Sequence, residues 1–249
     1  MKILVLTAGY ATRLYPLTLN TPKPLLPVGG KPMIDRILEK CASQEGVDGI
    51  YVVTNGKFFD SFKAWAATSE YKGKISVIND NTFTNETRLG AIKDIALAID
   101  QKKIEDDLLI VAGDNLFEFD IERFLSFGKR NTDGITVALY DIKDIGSATR
   151  YGVVSVDKAN LVTDFEEKPQ APKSTLVSTG VYFIPKGKVG TIKKYISSPG
   201  TKPDQPGYYM SWMVKSDKVY GLAFREDWYD IGDIESYRKA DEEYKKKGR

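Results

Sequence analysis

The chain has no histidine, a single cysteine (Cys41) and almost no excess of either charge: 36 Lys+Arg face 34 Asp+Glu over 249 residues, a net charge of +2. Each shortage removes a class of chemistry. Without an imidazole there is no Ser-His-Asp or Cys-His nucleophile, and no side chain whose unperturbed pKa lies near neutrality. One cysteine with no histidine excludes zinc fingers, zinc ribbons and disulfide scaffolds, and agrees with a reducing compartment. The mixed charge lacks the clustered basic surplus of proteins that bind nucleic acid non-specifically. Long apolar runs are missing too: the opening MKILVLTAG turns polar after about five residues, too short for a signal peptide or a membrane span. A cytoplasmic protein is expected, without nucleic-acid or membrane partners. Any catalysis must use carboxylates, Lys, Arg, Tyr, Ser/Thr, backbone amides or hard cations held by oxygen.

What is present is a regular alternation. With 42% hydrophobic residues the chain can build a full core without staples. Lys2 to Ala8 is a continuous apolar run ending at Gly9, as in a strand buried on both faces. From Pro32, residues Met33, Ile34, Ile37, Leu38 and Cys41 repeat at helical spacing, and Asp48 to Thr54 reads as a second strand. A helical stripe at Phe58, Phe59, Phe62 and Trp65, a strand at Ile75 to Ile78, and a helix through Leu89, Ile92, Ile95, Ala96 and Ile99 follow. Then come a strand at Asp107 to Ala112, a helix from Ile121 and a strand at Ile135 to Tyr140. Such alternation predicts an α/β fold with a parallel, doubly wound sheet and right-handed crossovers.

Beyond about residue 140 the pattern changes. Gly152 to Val156 and Leu161 to Phe165 flank a turn and read as a hairpin. A strand at Ser178 to Ile184, a helix near Lys186 to Ser197, a Pro/Gly-rich loop at Ser198 to Gly207 and an aromatic helical stretch follow, then a strand at Val219 to Phe224 and a charged terminal helix. The aromatics from Tyr208 to Trp212 are expected to be exposed and to mark a contact surface, such as one between copies in a homo-oligomer. No composition shift marks a linker, so one domain over 1–249 is expected, with halves at about 1–140 and about 141–249.

Ligands of open parallel sheets bind at the carboxyl ends of strands. Two features lie there. After the first strand, Ala8, Gly9, Ala11 and Thr12 are small enough to let backbone N–H groups approach an anion, and Arg13 adds a planar fork for phosphate oxygens. The pattern is neither a Walker A loop nor GxGxxG, and an ordinary strand-to-helix turn with a surface arginine fits equally. Downstream, Lys23 stands between two prolines, either a stiffened point charge for phosphate or an exposed loop lysine.

After the strand at 107–112, Gly113-Asp114-Asn115 sets a carboxylate at the mouth of the sheet, suited to Mg²⁺. Asp114 could instead cap the following helix, although Asp120 is better placed for that. Asp230 in Trp228-Tyr-Asp-Ile-Gly-Asp233 could supply a second carboxylate, with Asp233 capping the last helix. Glu167-Lys168 pairs an acceptor with a cation, as a sugar phosphate requires or as a charged turn would show.

Together and in order, LTAGYATRLYPLT, TPKPLLPVGGKPMI, VAGDN, EEKP, STGVYF and WYDIGD resemble the sugar nucleotidyltransferases, including glucose-1-phosphate thymidylyltransferases. The resemblance covers residues 3 to 233. It implies a Rossmann-like α/β fold with a mixed, mainly parallel sheet and helices on both faces, of the nucleotide-diphospho-sugar transferase type. It also implies a Mg²⁺-dependent reaction in which a sugar-1-phosphate attacks the α-phosphorus of a nucleoside triphosphate and releases pyrophosphate, a thymidylyl or uridylyl transfer being the default.

By the same resemblance the backbone of Ala8 and Gly9 faces the nucleotide, Arg13 and Lys23 hold its phosphates, and Asp114 and Asp230 bind the metal. Gly90 helps seat the base. Gly152, Glu167 and Ser178 hold the sugar, and Lys168 its phosphate. The catalytic set is then Arg13, Lys23, Asp114 and Lys168.

Departures from the family pattern are few. The family loop GGxGTR is here Ala8-Gly9-Tyr10-Ala11-Thr12-Arg13, with two family glycines replaced by alanine, and Ala11 is expected to narrow the φ freedom of the loop and change how closely it wraps the triphosphate. Asn85 to Gly90 lacks the usual glutamine and proline, which leaves the base open. WYDIGD replaces WxDTGT but keeps the aspartate. With 249 residues, no C-terminal β-helix domain is expected. Two rival readings are a nucleotide-sugar-dependent glycosyltransferase, against which the absence of an Asp-x-Asp triplet counts, and a non-catalytic nucleotide-sugar-binding regulatory protein.

Overall fold

A computed structural model describes residues 1–248. The first half runs β1 (Lys2–Leu6), β2 (Pro27–Val28), β3 (Lys31–Pro32), α1 (Met33–Cys41), β4 (Gly49–Thr54), α2 (Phe59–Thr68) and β5 (Ile75–Asn79). Next come α3 (Ala91–Lys102), β6 (Leu108–Ala112), β7 (Asn115–Phe117), α4 (Ile121–Arg130) and β8 (Gly134–Asp141). Then follow α5 (Ile145–Ala148), β9 (Gly152–Val156), β10 (Val162–Glu167), β11 (Leu176–Ile184) and α6 (Thr191–Ser197). The chain closes with α7 (Pro206–Ser216), β12 (Lys218–Phe224), β13 (Trp228–Asp230) and α8 (Ile234–Lys246). The α/β class and the mixed, mainly parallel sheet are as expected. No helix among the described residues is long and apolar enough to cross a membrane.

Two compact units emerge, neither continuous in sequence. The first comprises Met1–Leu89, Val111–Glu118 and the residues from Asp227 on; the second comprises Gly90–Ile110 and Phe119–Glu226. In the first, β4 pairs in parallel with β1 and β5, from Lys2↔Gly49 to Leu6↔Val53 and from Ile50↔Ile75 to Thr54↔Asn79. The middle of β1 and nearly all of β4 are buried, which explains their uninterrupted apolar character. Met33, Ile34, Ile37, Leu38 and Cys41 form the buried stripe of α1, as their spacing predicts. Burying each such side chain contributes roughly 1.5–3 kcal/mol.

The second unit is mixed. β11 pairs antiparallel with β8 and β9, β9 forms the predicted antiparallel hairpin with β10, and β12 runs parallel to β8. The strand at 135–140 therefore does not continue the parallel series. Alternating periodicity reports which residues are buried, not which strand lies alongside. Asp120 caps α4 by accepting from the N–H groups of Glu122 (2.9 Å) and Arg123 (3.2 Å), and Asp233 caps α8 in a reciprocal box with Ser236. The helix expected near 186–197 is split into a 3-10 turn at Lys186–Lys188 and α6, with Gly190 at the N-cap of α6.

One expectation fails. Within Tyr208 to Trp212, Tyr209 and Met210 are buried and Tyr208 and Trp212 are half-buried, so this stretch is not an exposed contact surface. Tyr209 and Trp212 pack with Tyr195 of α6, with ring centroids 5.4 and 5.6 Å from Tyr195. The Tyr209 hydroxyl bonds Thr191 Oγ1 at 2.6 Å. Large aromatic area at helical spacing is what a core-facing helix needs, so the composition served packing.

Candidate active site

In the first unit the geometry begins where β1 ends. Thr7 is tied to β4 twice, its N–H at 2.8 Å and its hydroxyl at 2.7 Å from the Val53 carbonyl oxygen. Asn55 Nδ2 donates to the Ala8 carbonyl at 3.0 Å. Gly9 is exposed, and an added Cβ would meet nothing within 4 Å, so this stretch of backbone is open to an approaching group. Ala11 is left-handed (φ 48°, ψ 43°) and starts the 3-10 turn Thr12–Leu14. It stands where the family carries glycine, so the loop keeps the shape that glycine would permit. The turn brings Arg13 near Asp230: from the position a Cβ would take on Gly232, Arg13 Nη2 is 3.5 Å and Asp230 Oδ2 3.7 Å away.

Lys23 is not a free loop lysine. Its ammonium donates to Asp114 Oδ2 at 2.7 Å and to the Ile231 carbonyl at 2.8 Å. Gly113 makes that meeting possible, because a Cβ there would lie 2.8 Å from both the Leu6 carbonyl oxygen and Thr7 Cγ2. Its N–H donates to the same Leu6 oxygen at 2.9 Å.

Asp114 Oδ1 accepts from Asn115 Nδ2 at 2.8 Å. Burial pushes its carboxyl up, but the Lys23 ammonium and the hydrogen bonds from Lys23 and Asn115 together hold it below the usual carboxylate value. A two-stranded antiparallel ribbon, absent from the sequence expectation, joins the two acidic segments. β13 pairs with β7 so that Asp230 faces Asn115, and the Ile231 N–H donates to the Asp114 carbonyl at 3.1 Å. Residues more than 110 positions apart thus become neighbours, and Asp114 and Asp230 stand at one end of the ribbon, the first paired with Lys23 and the second near Arg13.

In the second unit, β10 ends at Glu167, whose register partner is Gly152. Lys168 follows in a left-handed conformation (φ 48°), its N–H donating to the Tyr151 carbonyl at 2.9 Å and its ammonium 3.5 Å from Glu167 Oε1. A lysine held at positive φ beside a buried glutamate is a strained turn of the kind that clusters at functional sites.

The Glu167 carboxylate is nearly buried in a space that two glycines leave. A Cβ on Gly152 would lie 3.2 Å from Oε2, and one on Gly207, in the first turn of α7, only 1.7 Å. Burial pushes this carboxyl above its ordinary value, with Lys168 opposing. Gly207 escaped the sequence reading. Its signal was weak, a Pro-Gly pair in a stretch read as loop.

Ser178 bonds Tyr182 OH at 3.0 Å across a bulge in β11, where Gly180 has φ 77°. Gly90 (φ 92°) lets α3 begin against the 203–204 backbone. A Cβ would lie 2.6 Å from Asp204 Cα, and the first helical N–H groups, of Ala91 and Ile92, donate to Asp204 (3.1 Å) and Pro203 (3.0 Å) carbonyls. The structure therefore groups Ala8, Gly9, Arg13, Lys23, Asp114 and Asp230 in one unit. Gly90, Gly152, Glu167, Lys168 and Ser178 belong to the other.

Comparison with known proteins identifies the family and the fold. The family model described as "Nucleotidyl transferase" matches residues 2–247. The bifunctional protein GlmU of Methanocaldococcus jannaschii is 32% identical over 236 residues, 93% of this chain and 51% of that protein. Its namesake from Methanococcus aeolicus is 28% identical over 244 residues, again 93% and 51%. The chain spans about half the length of these relatives.

Among solved structures, a Bacillus anthracis protein described as a glucose-1-phosphate thymidylyltransferase superposes with a TM-score of 0.82 at 23% identity, covering 98% of this chain and 95% of that one. A UDP-glucose pyrophosphorylase without ligand gives 0.82 at 21%, covering 100% and 99%. At these identities the superpositions establish the fold. With the family model spanning nearly every residue, the chain belongs to the nucleotidyl transferase family.

Proposed function

We propose that this chain transfers a nucleotidyl group from a nucleoside triphosphate to a sugar-1-phosphate, giving a nucleotide-sugar and pyrophosphate. The observation that carries the reading is the pairing of Lys23 with Asp114 beside Arg13 and Asp230, with a separate Glu167–Lys168 pair in the second unit. One oxygen of the sugar phosphate forms a bond to the α-phosphorus, the bond from that phosphorus to the bridging oxygen breaks, and pyrophosphate leaves with the electron pair. A phosphate monoester has a second pKa of about 6, so the nucleophile is already ionised at neutral pH and no histidine base is required.

Each residue then has a task. The open backbone at Ala8 and Gly9 lies along the nucleotide, and Arg13 and Lys23 hold its phosphates, with Gly90 near the base. Lys168 takes the phosphate of the sugar, while Glu167, Gly152 and Ser178 bound the sugar itself. Arg13 and Lys23 in the first unit, and Lys168 in the second, each offset the negative charge of the phosphate they hold.

Asp114 and Asp230 would hold Mg²⁺. Among the described residues no third acidic, histidine or cysteine side chain completes a cage with them. Two carboxylates suit this ion, which takes its remaining ligands from water and substrate phosphates. When bound, it would neutralise charge on the phosphate oxygens. A thymidylyl or uridylyl transfer is the preferred form.

The test is a pyrophosphate-release screen of dTTP, UTP, CTP, GTP and ATP against several sugar-1-phosphates. Release that depends on both substrates is expected. Tight nucleotide-sugar binding with no release from any pair would replace the reading with the regulatory one.

A further inference from the structure

Phe83 is the most exposed large apolar side chain of the first unit, at 65%, yet it does not sit on a slack loop. β5 ends at Asn79, and the next residues are tied down. The Asp80 N–H donates to the Thr54 carbonyl at 2.9 Å. Thr82 donates to Asp80 twice, from its N–H at 2.7 Å and from its hydroxyl at 3.0 Å. The Thr82 carbonyl accepts from the Gly56 N–H at 2.7 Å. Asp80 and Thr82 are both buried. The aromatic ring rests on Gly56, where a Cβ would lie 2.7 Å from both Cε1 and Cζ, and the rest of the ring is open to solvent.

The same segment is bonded to the loop after β1. The hydroxyls of Tyr10 and Thr82 are 3.1 Å apart. Asn55, which precedes Gly56, donates to the Ala8 carbonyl. Ala8, Gly9, Tyr10 and Phe83 thus belong to one hydrogen-bonded assembly at the carboxyl ends of β1, β4 and β5. A flat apolar ring carried into water by a hydrogen-bonded segment that is itself joined to the open Ala8–Gly9 loop is poorly used by the fold and well suited to stacking. Every nucleobase has a π-face, so such a platform adds affinity without choosing the base.

We propose that Phe83 is the stacking platform for the base of the nucleoside triphosphate, positioned by the Tyr10–Thr82–Asp80 chain. The proposal rests on the reading that the Ala8–Gly9 loop faces a nucleotide. It assigns base affinity to Phe83 and leaves base identity to groups that reach the edge of the base.

The experiment is equilibrium binding of dTTP and UTP to the full chain and to F83A and F83Y, with inorganic tripolyphosphate, which has no base, as the second ligand. F83A is expected to weaken nucleotide binding roughly 5- to 150-fold, about 1–3 kcal/mol at about 1.4 kcal/mol per tenfold. F83Y should bind nucleotide as the parent does, and tripolyphosphate should bind all three proteins equally. An unchanged nucleotide affinity in F83A, or an equal loss for tripolyphosphate, overturns the stacking role while leaving the nucleotidyl-transfer reading intact. If the parent chain binds neither nucleotide, the reading beneath it fails and the proposal falls with it.

Discussion

Replacing Ala11 with glycine probes the loop on which the nucleotide reading depends. Ala11 has φ 48° and ψ 43°, and the conformation is held from both sides: the Leu14 N–H donates to its carbonyl at 3.0 Å and the Thr18 hydroxyl at 2.8 Å. An L-residue in the left-handed region costs roughly 1–2 kcal/mol, because Cβ crowds the following carbonyl oxygen. Glycine removes that cost but loses more backbone entropy on folding, roughly 0.5–1 kcal/mol. The difference leaves A11G more stable by about 0.5–1 kcal/mol. For a chain of this size that is a rise in Tm of about 1–4 °C.

The assay is thermal unfolding followed by far-ultraviolet circular dichroism, with a urea titration as a second measure. Two further variants bound the interpretation. A8G, at a buried position without positive φ, should lower Tm, since glycine there relieves nothing. A11V should lower it more than A11G raises it, because β-branching aggravates the crowding. A Tm for A11G equal to or below that of the parent would refute the claim that Ala11 stores strain.

Asp114→Asn should reduce turnover at least 100-fold, a loss typical of removing one electrostatic contact to a developing charge, while Lys23 keeps its bond to the Ile231 carbonyl and the fold persists. Near-normal pyrophosphate release with an unchanged dichroism spectrum would remove Asp114 from the chemistry. Gly207→Ala forces Glu167 Oε2 away from a Cβ that would stand 1.7 Å off, so it should destabilise by roughly 1–3 kcal/mol and raise the KM for sugar-1-phosphate more than that for nucleotide. Equal changes in both KM values would contradict a sugar-side role.

The two shifted carboxyls also predict opposite slopes of stability with pH. Asp114 is lowered in the folded state, so its stabilisation is present above the unfolded value of about 3.9 and is lost as pH falls through the folded one. Glu167 is raised, so folding loses stability as pH climbs from the ordinary 4.5 through the higher folded value. Urea midpoints of E167Q should lack that decline as pH rises above the ordinary glutamate value, and profiles parallel to the parent's would show that burial does not perturb Glu167.

Sequence alone carried much of this. The strands β1, β4, β5 and β6 and the helices α1, α3 and α4 were legible because burial on one or both faces leaves a periodicity of hydrophobic residues that survives without partners. The caps at Asp120 and Asp233 were legible because a capping side chain bonds within three residues of itself. All the site residues except Gly90 and Gly152 came from six short segments whose order and chemistry match one family. What stayed hidden was non-local. β7 and β13 are three residues each, too short for a periodic signal, and they exist because residues more than 110 positions apart pair. The aromatic stretch at 208–212 was misread because composition states how much apolar area there is, not which neighbour covers it.

The residues themselves determined the elements, the exclusion of imidazole chemistry and of disulfide pairing within the chain, and the types of group available: carboxylates, ammonium groups and a guanidinium. Tertiary structure decided which of them meet. It brought Lys23 onto Asp114, closed Gly113 against Leu6, set Gly207 beneath Glu167 and tied Phe83 to the loop after β1 through Tyr10 and Thr82. Each of these contacts joins distant parts of the chain. The chain order of these residues holds no record of them, because a Cβ clash or a 2.7 Å ion pair is a property of folded neighbours.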